Sequence, residues 1–141
     1  MEQAIPGKRP ILVVDDDETI LSTVCDILQF EGYSTECATN GEEGLRVLET
    51  VRPKLVLLDM RMPVLDGWQF ARVLKERGIR IPIVVMTAAQ DAKEWAREIE
   101  ANGYLPKPFD YLDLLAAVEA HMARNGNGNG NGNGAPYKTV H

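Results

Sequence analysis

Five residues carry the chemistry that this chain could do. Asp15 and Asp16 lie in "VVDDD", Asp59 ends "LVLLD", Thr87 ends "IVVMT", and Lys107 sits inside "YLPKPF". Singly, each has an ordinary use: acids cap helices and open turns, a threonine closes a turn, and a lysine is solvated. Gathered in one place they mean something else. Three neighbouring carboxylates repel unless a cation lies between them or one keeps its proton. Magnesium fits such a set, since it takes oxygen ligands and keeps several waters. No histidine or cysteine lies near these residues in sequence to suggest zinc or copper. An ammonium and a hydroxyl beside the metal describe a site for a small dianion. A phosphoryl group with a carboxylate acceptor is the obvious candidate. Asp15 and Asp16 form a pair suited to holding metal, whereas Asp59 is the single acid on its segment, so the acceptor role falls to Asp59.

The elements that must position these residues are legible from hydrophobic periodicity. Ile11 to Val14 is a short strand, and Asp17 can cap the helix that follows from Glu18 to Phe30. In that helix Ile20, Leu21, Val24, Ile27 and Leu28 recur at three and four, with Gly32 as terminator. Tyr33 to Thr39 reads as a polar edge strand, Asn40-Gly41 as a turn, and Glu42 to Glu49 as a short helix holding Leu45 and Leu48 inward. Leu55 to Leu58 has no alternation of polar and apolar residues, so it must be a strand covered on both faces. After Asp66-Gly67 a helix runs from Trp68 to Arg77 around Phe70, Val73 and Leu74. A fourth strand spans Ile83 to Met86 and ends at Thr87, and Asp91 can cap a helix built on Ala92, Trp95, Ala96 and Ile99. Tyr104 and Leu105 form a fifth, very short strand, and Asp110 opens a last helix with Leu112, Leu115, Val118 and Met122 facing in.

Five strand-helix pairs predict an α/β domain: a flavodoxin-like (βα)5 three-layer sandwich with a parallel five-stranded sheet of order 2-1-3-4-5. In that topology the carboxyl ends of strands one, three, four and five share one edge of the sheet, beside the crevice where such folds bind ligands. All five reactive residues fall there.

With this pattern on view, the sequence resembles the receiver domain of two-component response regulators of the stand-alone, single-domain type. The resemblance covers about residues 9 to 123 and rests on "VVDDD", "LVLLDMRMPVLDG", "IPIVVMTA" and "YLPKPF", in order. It implies phosphorylation of Asp59 by a phosphohistidine donor, a sensor histidine kinase or a histidine phosphotransfer protein. It implies magnesium held by Asp15, Asp16, Asp59 and the backbone carbonyl of Arg61. It makes Thr87 the hydroxyl that moves toward the phosphoryl group, Lys107 its ion-pair partner and Tyr104 the switch aromatic, turning inward as Thr87 moves. It implies a cis peptide between Lys107 and Pro108. The output surface implied is the fourth helix, fifth strand and fifth helix, acting on a downstream protein target. The Arg61 side chain has no role fixed by the resemblance. Glu100 stands where many members have glycine, a costly choice if that turn needs positive φ.

The remaining features bound the answer. At 141 residues, 45% hydrophobic and 26% charged, the chain suits one domain, and a net charge of −6 argues against direct nucleic-acid binding. Cys25 and Cys37 lack metal-site spacing and read as separate, reduced, buried thiols. No signal peptide or membrane span is visible, so a cytoplasmic protein is expected. Residues 1–8 read as an N-terminal extension and 124–141 as a disordered Asn-Gly-rich tail. A monomer, or a weak dimer on phosphorylation, is the expectation that goes with the receiver resemblance. His121 reads as a solvated residue near a helix end. Two other functions compete. "DDDET" fits a haloacid-dehalogenase-type phosphatase with Asp15 as nucleophile, which leaves Asp59 idle, and the same fold could serve as a phosphorylation-independent scaffold.

Overall fold

The computed structural model describes residues 9–122 together with 138 and 139, and within them the predicted alternation is realised. β1 (Ile11–Val14), α1 (Glu18–Phe30), β2 (Thr35–Ala38), α2 (Gly41–Val47) and β3 (Leu55–Asp59) come first. α3 (Gly67–Glu76), β4 (Ile83–Ala88), α4 (Ala89–Glu98), β5 (Gly103–Lys107) and α5 (Tyr111–Met122) complete the five units. Strands β2, β1, β3, β4 and β5 lie in that order and pair in parallel.

Burial explains the unalternated strands. Successive side chains point to opposite faces of a sheet. Leu12, Val14, Val56, Leu58 and Val85 enter one core under α2, α3 and α4, while Ile11, Val13, Leu55, Leu57, Val84 and Met86 enter a second with α1 and α5. Both faces are dry, so every position in β1 and β3 must be apolar until the strand reaches the open edge. The helices begin where their caps stand. The Asp17 carboxylate accepts from Thr19 N and Ile20 N, and Asn40 Oδ1 accepts from Glu43 N. Asp66 and Gln69 form a reciprocal capping box, and Asp110 and Asp113 make the same exchange at the start of α5.

Several local expectations need correction. α4 begins at Ala89 with Ala88 at its cap and no side-chain hydrogen bond there, because β4 runs on to Ala88 and leaves no connecting residues; Asp91 lies inside the first turn instead. The inward stripe of α5 is Leu114, Ala117 and Val118, with Leu115 partly buried beside it; Val118 and Leu115 face in as expected, whereas Leu112 is 69% exposed and Leu114 takes the inward position. A seven-residue continuation of that stripe reaches His121, which is buried rather than solvated. Cys25 and Cys37 are joined as a disulfide between α1 and β2 rather than kept as separate thiols, since helix and edge strand are packed neighbours. A sixth strand, β6 (Lys138–Thr139), pairs antiparallel with β5, opposite Tyr104 and Gly103. The remainder of the expected tail, and the extension 1–8, lie outside the described residues.

Candidate functional site

The carboxyl edge of the sheet brings the five reactive residues together. Asp15 follows β1 and has no exposed surface; its Oδ1 accepts from Asp17 N at 2.9 Å and its Oδ2 from Lys107 Nζ at 2.9 Å. Asp59 ends β3, is 6% exposed, and accepts from Met60 N at 3.0 Å. Lys107 Nζ also lies 3.6 Å from Asp59 Oδ1. Asp16 is exposed, yet one oxygen from each of Asp15, Asp16 and Asp59 fits within 4.8 Å of the others. Thr87 is buried near the end of β4, and the neighbouring Ala88 pairs in register with Lys107.

The acceptor loop is held by close backbone packing. Gly67 N donates to Met60 O at 2.9 Å, tying the start of α3 to the residue after Asp59. A Cβ on Gly67 would lie 2.8 Å from Met60 Cα and 2.9 Å from the Asp59 carbonyl oxygen, so only glycine fits. Val64, at φ +72°, carries the chain around this loop. On the other side, the Lys107-Pro108 peptide is cis.

The electrostatics are those of a site short of positive charge. Burial first, then the charge of Asp15 and more weakly that of Asp16, push the Asp59 carboxyl up to about 7 against the opposing pull of Lys107. Burial alone would pull Lys107 down, but its hydrogen bond to Asp15 and the charges of Asp59 and Asp15 hold it above the usual lysine value. A single ammonium therefore leaves Asp59 only partly relieved. A divalent cation among the three carboxylates would complete the compensation, and the all-oxygen donor set suits magnesium.

The response regulator receiver domain model matches residues 11–119. The chain belongs to this family. Response regulator MprA of Mycolicibacterium vanbaalenii is 41% identical over 116 residues, which cover 81% of this chain and 50% of MprA. MprA of Mycobacterium bovis is 40% identical over the same share. The chain thus spans about half the length of the curated relatives it matches. Among solved structures, the Francisella response regulator 1452 receiver domain superposes with a TM-score of 0.76 at 27% identity, covering 83% of this chain and 98% of that one. Chemotaxis response regulator CheY4 of Vibrio cholerae gives 0.73 at 29%, covering 80% and 98%.

Receiver membership in two-component signalling removes the phosphatase reading, and magnesium is the metal typical of such domains. No helix among the described residues is long and apolar enough to cross a membrane. Of the residues anticipated for the receiver site, Asp15, Asp16, Asp59 and Lys107 meet directly. Tyr104 is only 6% exposed and packs with the core beneath α4. Sequence reasoning missed what surrounds Arg61. Its guanidinium stacks over Trp95, Trp95 meets Trp68 edge to face, and Trp68 Nε1 donates to Glu98. Two tryptophans in different helices carry no spacing signal that would pair them.

Proposed function

We propose that Asp59 accepts a phosphoryl group from the phosphohistidine of a sensor histidine kinase or histidine phosphotransfer protein, and that the phosphorylated chain signals through α4, β5 and α5 to a downstream protein. The observation that carries this reading is Lys107 Nζ between two buried carboxylates, 2.9 Å from Asp15 and 3.6 Å from Asp59. A cation so placed serves Asp59 as a carboxylate and also serves a dianion bonded to it.

The chemistry balances as a transfer between two nucleophiles. A carboxylate oxygen of Asp59 bonds to phosphorus as the bond from phosphorus to the donor imidazole nitrogen breaks, and the imidazole keeps that electron pair. Magnesium, held by Asp15, Asp16, Asp59 and the backbone carbonyl of Arg61, would neutralise charge on the phosphoryl oxygens. Lys107 donates to one of those oxygens. Thr87, at the adjoining end of β4, supplies a hydroxyl to another. Thr87 and the loops after β4 and β5 follow the new oxygens, and Tyr104 settles inward into the space that Thr87 leaves. The chain promotes only its own phosphoryl gain and loss.

An apolar groove of about 450 Å³ opens beside Lys107, lined by Ile20, Val24, Pro108 and Phe109, and suits the docking of a donor protein next to the site. The net charge of −6 supports a protein target over nucleic acid. A cytoplasmic setting, a monomer or weak dimer on phosphorylation, and a domain spanning 9–123 followed by an Asn-Gly-rich tail belong to the same reading.

Incubation with magnesium and acetyl phosphate, followed by intact mass measurement, tests it. The expected result is one phosphoryl group that requires magnesium and is lost in Asp59→Asn. A correctly folded protein that takes no label would favour the phosphorylation-independent scaffold.

A further inference from the structure

Arg61 stands two residues beyond Asp59, exposed at the mouth of the site. None of the ion pairs among the described residues involves it. Its guanidinium carbon lies instead 5.9 Å from the ring centroid of Trp95 on α4. Trp95 is held edge to face against Trp68, with centroids 4.9 Å apart and planes at 65°. Trp68, the second residue of α3, sends its indole N–H to Glu98 Oε1 on α4 at 2.8 Å. A continuous set of contacts therefore runs from the acceptor loop to α4, and it is fastened to the rigid turn where Gly67 N meets Met60 O. α4 rests on the sheet through Ala92 and Ala96, and the contacts of Trp95 and Glu98 add a separate link from that helix to the acceptor loop and the start of α3.

We propose that Arg61 is a second cation for the phosphoryl group of Asp59, kept on Trp95 until the group arrives, and that its move from ring to phosphoryl releases α4. The proposal rests on Asp59 being the acceptor. Transfer replaces a carboxylate of one negative charge by an acyl phosphate carrying up to two, so the pull on a neighbouring cation rises. A guanidinium on a partly exposed ring is held less strongly than one making paired, charge-assisted hydrogen bonds to phosphoryl oxygens. The planar fork of arginine suits both positions, face-on over the indole and edge-on to the oxygens; a lysine ammonium suits the second less well. Phosphorylation would thereby reach α4 through a route separate from Thr87 and Tyr104.

Because ring and phosphoryl compete for one guanidinium, the two ends of the contact must affect anion binding with opposite signs. Beryllofluoride, a stable phosphoryl mimic, is titrated with magnesium into the whole chain, and binding is followed by amide and indole NMR. The chain's two tryptophans both lie in this cluster, so the indole signals report on it alone. In the wild type both indole signals shift on binding. Arg61→Ala should weaken beryllofluoride by at least about threefold and abolish the indole response, whereas Trp95→Leu should tighten it by about threefold, the ordinary strength of an exposed cation–π contact. Arg61→Lys should fall between wild type and alanine. If Trp95→Leu fails to fold by its amide spectrum, Trp95→Phe replaces it, with a smaller tightening expected. Equal affinities in all variants, or changes of the same sign at Arg61 and Trp95, would overturn the proposal. Indole signals that stay still while the amides around Asp59 respond would overturn it alone; a wild type in which nothing responds would overturn the receiver reading with it.

Discussion

Lys107 and Asp15 are separated by 92 residues in the chain and meet at 2.9 Å, with Asp15 fully buried and Lys107 only one-fifth exposed. The pair is the electrostatic hinge of the site, because the same ammonium also faces Asp59. Replacing Lys107 by Met would keep the apolar stem but leave two buried carboxylates without their cation. Removal of one member of a buried ion pair commonly costs about 3 kcal/mol. Lys107→Met should lower metal-free stability by about that amount in urea unfolding, and added magnesium should recover part of the loss. Unchanged stability would show that the two carboxylates are relieved by other means.

The raised Asp59 carboxyl fixes a pH dependence. Its folded value of about 7 lies above the 3.8 of an ordinary aspartate, so the folded state binds this proton more tightly than the unfolded chain does. Its contribution to metal-free stability is therefore greatest below about pH 4, is lost as pH rises through about 7, and stays lost above that. Asp59→Asn removes the dependence. At pH 8 without magnesium, Asp59→Asn should melt about 4 °C or more above the wild type, the shift expected for roughly 1 kcal/mol in a domain of this size. The gap should narrow at pH 5 and when magnesium is added. A variant that melts at or below the wild-type temperature at pH 8 would mean that burial does not strain Asp59.

The parts of this architecture that follow from burial were legible in the sequence, and the parts that follow from tertiary neighbours were not. Leu55 to Leu58 could only be a central strand, and its end therefore located Asp59 at the open edge. Caps at Asp17, Asn40 and Asp66 were equally local. In α5 only Leu112 was misplaced: the helix is apolar on nearly every side, so Leu112, Leu114 and Leu115 compete for the inward position, and packing against the sheet buries Leu114, keeps Leu115 partly buried and turns Leu112 out. The Cys25-Cys37 link depends on how α1 lies against β2, and the Arg61-Trp95 stack on how α4 lies against the acceptor loop. Nothing within either segment encodes those approaches.

Gly67 is the residue on which the acceptor loop turns. Alanine there would press its Cβ onto the Asp59 carbonyl oxygen at 2.9 Å and onto Met60 Cα at 2.8 Å, both backbone atoms with little room to yield. Gly67→Ala should destabilise the fold by about 2 kcal/mol, as overpacking of a dense site does. Displacing Asp59 should also slow phosphoryl uptake from acetyl phosphate by about tenfold or more, since small misplacements of a reacting group are costly. Gly78→Ala, where a Cβ meets open space but φ is +70°, separates the two effects: it should lose stability without slowing uptake.

Glu100 occupies a left-handed conformation, φ +59°, in the turn between α4 and β5, which a non-glycine residue adopts at a cost of roughly 1 kcal/mol. What it gains there is an exposed pairing with Lys75 at 2.9 Å, which holds its carboxyl below the usual range. Fully solvated pairs of this kind contribute little. Asparagine tolerates the left-handed region, and unlike glycine it adds little freedom to the unfolded chain. Glu100→Asn should therefore stabilise the domain by about 0.5 kcal/mol in urea unfolding at moderate salt. The gain should grow as salt rises, because screening weakens the Lys75 contact of the wild type while backbone strain is indifferent to salt. A loss of stability that vanishes at high salt would assign the larger share to the ion pair and show the turn to be relaxed with glutamate in place.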